Sequence, residues 1–313
     1  MFQGLKYVYA VYECGSVSEA AKKLYISQPS LSASIKREEE LVGMPIFDRS
    51  TKPLTLTECG RAYIKAAEQI MLTEREFTTY LEEYGALEAG KLTLGGTNMY
   101  ASFVLPAAMQ AFAQKYPNIK LELIEENSDE LMERLMSGRL DMIMDNSVRD
   151  ESLVEKSFYY DECLLLAVPK SYPANEILKR FQVPFDSILN DKVLNGNVPP
   201  VPLREFRDAP YILLKSNYDT RRRADKMFAS NKITPRVLFE LDQQSTAYNI
   251  ASSGMGVTFV SNTLVKNVTN SDNEVFYTLP IKESHRAINF YWKRGRYVSK
   301  AMKEFISTST SIH

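Results

Sequence analysis

Apolar residues in the first sixty positions recur at helical spacing, broken by short polar turns. Phe2, Leu5, Tyr9 and Tyr12 fall on one helical face and predict a core helix at the start of the chain. Leu24 and Ile26 precede a tight turn, Leu31 and Ile35 follow it, and the helices on either side therefore share an apolar seam. Ser27 is placed to cap the second helix, and Pro29 falls in its first turn, where backbone N–H groups have no helical partner. Beyond Phe47, Leu54 and Leu56 alternate after a Ser-Thr-Lys-Pro tip, which predicts a β-hairpin. From Tyr63 a longer period begins. Tyr63, Ala67, Ile70, Glu74, Phe77, Leu81 and Tyr84 keep alternating steps of four and three, a heptad seam with one polar break, suited to pairing with a second chain. Gly85 and Gly90 then release the chain.

After Lys91 the pattern changes to strands alternating with helices. Leu92–Leu94 reads as a strand, Phe103–Tyr116 as a helix and Ile119–Leu123 as a strand. A helix capped by Ser128 and stopped at Gly138 follows, then the apolar strand Asp141–Asp145, giving a βαβαβ series and a largely parallel sheet. A second series runs through strand 163–168, strand 211–214, helix 219–230, strand 237–241, helix 244–253 and strand 257–260. Two more strands, 274–280 and 287–292, lead to a last helix ending near Ile306. Residues 170–210 are rich in Pro and Asn and carry no pattern that assigns elements.

The helix pair near the N-terminus has a surface suited to DNA. At about 100° per residue, Leu31 and Ile35 point one way, while Pro29, Ser30, Ala33, Lys36 and Arg37 point the other. Small residues let a helix sink into a major groove. Gln28, Ser30 and Ser32 offer donors and acceptors to base edges, and Lys36 and Arg37 reach phosphates. The hairpin reads as a wing that lays Arg49 and Lys52 along the backbone or in a minor groove. Charge qualifies this picture. Residues 1–60 hold seven Lys and Arg against seven Asp and Glu, so one copy lacks the basic excess of a strong nucleic-acid binder. Glu38–Glu40 lie at the far end of the helix, and affinity is expected to need at least two copies per site.

Several stretches together resemble the LysR-type transcriptional regulators: Ser16–Leu24, Ile26–Ile35, the Glu-Glu-Leu-x-Gly run at 39–43, Phe47-x-Arg49 and Leu56-Thr57-Glu58-x-Gly60. Glu38 departs from the leucine usual there, and Ala33 stands where many members carry a longer polar residue. The resemblance implies Gln28, Pro29, Ser30, Ser32 and Ala33 at the DNA, with Arg49 and Lys52 in the wing. It also implies an α/β chain with an N-terminal winged helix-turn-helix at 1–60 and a dimerisation helix at 61–89. An effector domain at 90–313 would follow, built of two α/β lobes resembling type 2 periplasmic binding proteins. Lobe I would cover about 90–162 and 266–313, lobe II about 163–265. A homodimer or homotetramer is expected.

Such a fold places ligands between the lobes, where strand ends meet helix N-termini. Four loops qualify. In Gly95-Gly96-Thr97-Asn98-Met99-Tyr100 the glycines allow close approach, and Thr97 and Asn98 supply polar contacts. Ser128 opens a second helix, Ser216, Asn217 and Tyr218 precede the helix carrying Arg221, and Gln244, Ser245 and Thr246 open a fourth. Helix N-termini favour anions, so a small carboxylate with Arg221 or Arg222 as counter-ion is the expected effector. Control by a protein partner, with the cleft unused, is the alternative.

Composition narrows the classes. The 313 residues are 44% apolar and 25% charged, ordinary for a soluble protein of two or three domains. Three scattered cysteines imply no disulfide framework and fit a reducing cytoplasm. No stretch approaches a membrane span or a signal peptide. With His285 and His313 the only histidines, neither a metal cluster nor a Ser-His-acid site can be assembled, and no phosphate-binding glycine loop appears. No enzyme, metal or cofactor is therefore expected.

Overall fold

The computed structural model describes residues 2–51, 53–83, 90–268 and 273–311, with 82 and 83 as backbone only. Leu5, Val8, Tyr9 and Val11 bury one face of helix α1 (Leu5–Cys14), which stops at Gly15 in the left-handed conformation (φ 58°). Helix α2 (Val17–Lys23) is capped by Ser16, and α3 (Gln28–Val42) by Ser27, whose Oγ accepts the Ser30 N–H at 3.3 Å. Between them Tyr25 takes the left-handed conformation (φ 56°) needed to turn the chain. Leu31 and Ile35 pack in one core with Val8, Val11, Ala20 and Ala21, and Leu24 and Ile26 of the expected seam lie partly buried against it. Strands β1 (Phe47–Asp48) and β2 (Thr55–Leu56) pair antiparallel as the expected hairpin. Helix α4 (Glu58–Glu83) follows, and Gly60 in its first turn admits no side chain: a Cβ there would lie 2.0 Å from the Ile46 carbonyl oxygen.

Glu38 is the departure that the structure explains. Only 1% exposed, it accepts hydrogen bonds from the N–H groups of Phe2 and Gly4 (2.8 Å for Gly4) and from the Tyr63 hydroxyl at 3.1 Å. It ties the N-terminal segment and α4 to α3, a task no leucine could perform. Its neighbour Glu39 accepts from the Ile46 and Phe47 N–H groups and pairs with Arg49 at 2.9 Å. These acids are structural connectors, not merely charges kept away from DNA.

The contacts divide the chain into Met1–Leu81 and Glu82–His313. The second unit opens with β3 (Gly90–Gly96), α5 (Asn98–Phe103) and α6 (Leu105–Lys115). The helix expected over 103–116 is α6, which starts where Pro106 can occupy a first turn, and α5 before it is an element the sequence pattern does not predict. β4 (Ile119–Glu125), α7 (Ser128–Met136) and β5 (Met142–Asp145) complete the first series. Asn127, not Ser128, caps α7, accepting from the Asp129 and Glu130 N–H groups. β6 (Val154–Pro169) is more than twice as long as the strand expected from its apolar half. The 170–210 region supplies 3-10 turns, β7 (Gln182–Val183) and α8 (Phe185–Leu189). Then come β8 (Pro210–Leu214), α9 (Asp219–Asn231), β9 (Arg236–Leu241), α10 (Gln244–Ser252), β10 (Val257–Ser261) and α11 (Asn262–Asn267). β11 (Glu274–Thr278), α12 (Ile281–Ser284), β12 (His285–Lys293) and α13 (Lys300–Thr310) close the chain.

The main sheet path runs β4-β3-β5-β12-β6-β10-β8-β9, with β11 and β7 off it. β6 makes one sheet into two lobes. Its Val154–Cys163 half pairs with β12, and its Leu164–Pro169 half pairs with β10 and β11. The first lobe is packed around Leu92, Phe112, Met144, Phe290 and Phe305, the second around Leu166, Tyr211, Phe228, Phe259 and Tyr277. The return to the first lobe comes at His285, later than the expected 266, because β11 hydrogen-bonds to the second-lobe half of β6.

Candidate functional site

Two surfaces collect the residues singled out from sequence. On α3, Ser27, Gln28, Pro29, Ser30, Ala33, Lys36 and Arg37 are exposed and Ser32 is half-buried, while Leu31, Ile35 and Glu38 face the core. The face is small and neutral over its first turns and cationic afterwards, with Lys36 4.0 Å from Glu40. Arg49 extends from the hairpin, exposed and held by Glu39. Lys52 lies outside the described residues.

In the second unit, strand ends of both lobes converge on a cleft of about 230 Å³. Thr97, Asn98, Met99, Tyr100, Ser128, Tyr218 and Gln244, singled out from sequence, line it. Thr97 starts α5 without capping it through its side chain, and the Asn98 amide donates to Glu125 at 2.8 Å. Gln244 is committed to structure, accepting from the Ser261 N–H at 3.1 Å. Ser216 and Asn217 instead line a wider adjoining groove of about 730 Å³. Ser245 and Thr246 are absent from both linings: they continue α10 beyond the end that meets the cleft. Arg221 is no counter-ion for a ligand. Its side chain turns back to Asp225 (2.9 Å), Glu240 (2.6 Å) and the Leu214 carbonyl, so it braces α9 against the sheet. The paired glycines likewise serve packing. A Cβ on Gly95 would come within 2.8 Å of Leu140 and Leu131, and one on Gly96 within 2.9 Å of Leu105.

The cleft's charge is the reverse of the expected one. Glu125, Glu126, Asp145, Asp219 and Asp242 line it, with Arg286 the one cation among the described lining residues. Arg286 is already spoken for. Its guanidinium bonds Glu162 at 2.6 Å, Asp219 at 3.2 Å and Thr220 at 3.1 Å. Asp145 differs from the other acids. It is 3% exposed, and burial pushes its carboxyl up from 3.8 to about 6. The Ser128 hydroxyl and the N–H groups of Asn146 and Ser147 favour the ionised form, and Asp219 opposes it. Tyr100 and Tyr291 also sense its charge, and Asn289 is its register partner on β12.

Comparison with known proteins covers both units of the chain. The sequence profile described as "Bacterial regulatory helix-turn-helix protein, lysR family" matches residues 2–61, and that of the "LysR substrate binding domain" matches 85–311. The chain belongs to the LysR family. This LysR regulator is 28% identical over 308 residues to the HTH-type transcriptional regulator YybE of Bacillus subtilis strain 168, covering 97% of this chain and 96% of that one. It is 26% identical to a probable RuBisCO transcriptional regulator of Synechocystis, covering 96% and 83%. Among solved structures, a full-length OxyR variant from Pseudomonas aeruginosa superposes with a TM-score of 0.69 at 19% identity, covering 98% of this chain and 96% of that one. Full-length CbnR in complex with its target DNA superposes with a TM-score of 0.63 at 18% identity, covering 100% and 99%. These likenesses establish the winged helix-turn-helix and the two-lobed, periplasmic-binding-protein-like domain of this LysR regulator.

Asp145 and Arg286 are among the cleft residues of the regulator that escaped sequence reasoning, though each left a signal. Asp145 ends the apolar run Met-Ile-Met at a strand's carboxyl end, where α/β sheets bind ligands. Arg286 occupies an inward position of the alternation Arg286, Ile288, Phe290, so a buried charge with a partner was to be expected. That partner, Glu162, faces it directly in the β6–β12 register. Cys163, next to it, is 2% exposed with its thiol pushed up to about 12 by burial, the opposite of an activated thiolate. Among the described residues no metal-binding cluster is formed and no helix is long and apolar enough to cross a membrane.

Proposed function

We propose that this LysR-family regulator acts in the cytoplasm as a homo-oligomer that reads specific DNA sequences through α3 and answers to a small molecule in the inter-lobe cleft. The observation that carries the DNA reading is the division of α3. Leu31 and Ile35 hold the helix in the core, while Gln28, Pro29, Ser30 and Ala33 form an exposed face without bulk or negative charge. CbnR, which shares the fold and was solved with its target DNA, supports DNA as the partner. Apolar side chains left exposed on α4, with Phe77 at 62% and Leu81 at 55%, support pairing with a second copy.

Control follows from what the cleft joins. Its lining comes from both lobes, and Arg286 stands beside the point where β6 passes from one to the other, bonded to Asp219 and Thr220 at the start of α9. A ligand that prefers one arrangement of the lobes shifts the population toward it. In an oligomer, that shift changes the spacing of the reading helices and the bend they favour in DNA. The test measures binding to a duplex selected from random sequences. Gln28→Ala is expected to relax base discrimination by about 1–3 kcal/mol at its contact position. Arg49→Ala should weaken all sequences alike and reduce the salt slope by about one. Equal loss of specificity in both variants would refute the assignment.

A further inference from the structure

Buried polar groups without partners define what an occupant must bring. Asp145 lines the cleft and is 3% exposed. Its Oδ1 accepts the Asn146 N–H at 2.7 Å, and the Ser128 hydroxyl and Ser147 N–H also favour its ionised form, yet Oδ2 makes no hydrogen bond. Asn146 lines the same wall, and its buried Oδ1 is also unpartnered. Both orphans are acceptors. The other acids of the lining are committed: Glu126 to Arg134, Asp242 to Lys215, Asp219 to Arg223 and Arg286, while Glu125 accepts from Asn98. An entering carboxylate would find the lining's guanidinium already bound to two carboxylates and would add a further negative charge beside Asp145. An ammonium group brings three donors and a positive charge, which is what the two orphaned acceptors lack.

We propose that the cleft takes a small protonated amine, its ammonium group seated against Asp145 and Asn146. This rests on reading the cleft as the effector site and names the chemistry of its ligand. The volume, below the roughly 300–1,000 Å³ typical of drug-sized sites, suits a metabolite of modest size. Among the described residues no three His, Cys, Asp or Glu side chains converge as metal ligands, which favours an organic cation over a bare metal ion.

The test is thermal stabilisation of the full-length protein near neutral pH by n-butylamine, ethanolamine and agmatine, each compared with butyrate, succinate and benzoate. At least one amine is expected to raise the melting temperature with dose, and the acids are not. Asp145→Asn should weaken that amine's affinity about 10- to 100-fold, the loss of one charge-assisted contact. The ligand-free variant should melt no lower than the wild type, which separates this loss from misfolding. Asn146→Ala, on the same wall, should weaken the amine by a smaller factor. Stabilisation by acids in place of amines, or by amines equally in Asp145→Asn, would overturn the proposal and leave the effector cleft standing. Silence of both panels would overturn the two together.

Discussion

Asp145 and Glu38 are both carboxylates almost wholly withdrawn from water, and their surroundings compensate that burial to different degrees. Glu38 receives two backbone N–H groups and a tyrosine hydroxyl, so its burial is compensated. Replacing it with the leucine usual in the family strands those donors. Glu38→Leu is expected to lower unfolding stability on the order of 2 kcal/mol, read by urea denaturation; an unchanged midpoint would refute the role. Asp145 keeps one oxygen unpartnered, and burial raises its carboxyl from 3.8 to about 6. The folded chain therefore holds this proton more tightly than the unfolded chain. Its contribution to stability is complete below 3.8 and lost as pH rises through about 6. Comparing wild type with Asp145→Asn isolates the effect. The wild type should lose on the order of 3 kcal/mol relative to the variant between acid and neutral pH. Parallel profiles would contradict it. Glu38 was visible in the sequence only as an oddity, because its partners come from positions 2, 4 and 63, which no local pattern brings together.

The elements most legible in the sequence are those whose physics is local. Ser27, Pro29 and the Leu31–Ile35 spacing announce α3 because capping and periodicity act within a few residues. β6 was half missed because Val154–Asp161, with Phe158 exposed, shows no clean apolar face and is stabilised by pairing with a strand more than a hundred residues later. The heptad seam of α4 divides into a buried and an exposed half. Tyr63 and Ala67 belong to the core of their own unit, while Ile70, Phe77 and Leu81 stay exposed, and Glu74 lies 3.6 Å from Lys6. Tyr84 and Gly85 fall outside the described residues. The exposed half is the part free to pair. Phe77→Lys combined with Leu81→Lys is expected to reduce the oligomer by at least one dimerisation step in light scattering, with the far-UV spectrum unchanged. An unaltered mass would show that assembly lies elsewhere.

At the scale of the molecule, the alternation of strands and helices after Lys91 announced the α/β architecture, and the family resemblance supplied the two lobes and the loops between them. The charge of the cleft was not legible. Helix N-termini argued for an anion, but the side chains that set the charge around the cleft, Asp145, Arg286 and Glu162, sit on strands and meet only through the tertiary fold. The same geometry places the buried Arg286–Glu162 pair beside the passage of β6 between lobes, so the cleft and the lobe junction share a residue. Control of transcription by such a cleft requires that α3 be delivered to DNA in more than one copy. A DNase I footprint of the full-length protein on the DNA flanking its own coding sequence, at low ionic strength, tests that claim most directly. Two protected half-sites are expected on one face of the duplex, separated by whole helical turns and weakened together by Gln28→Ala. A single isolated half-site, or no protection at all, would contradict it.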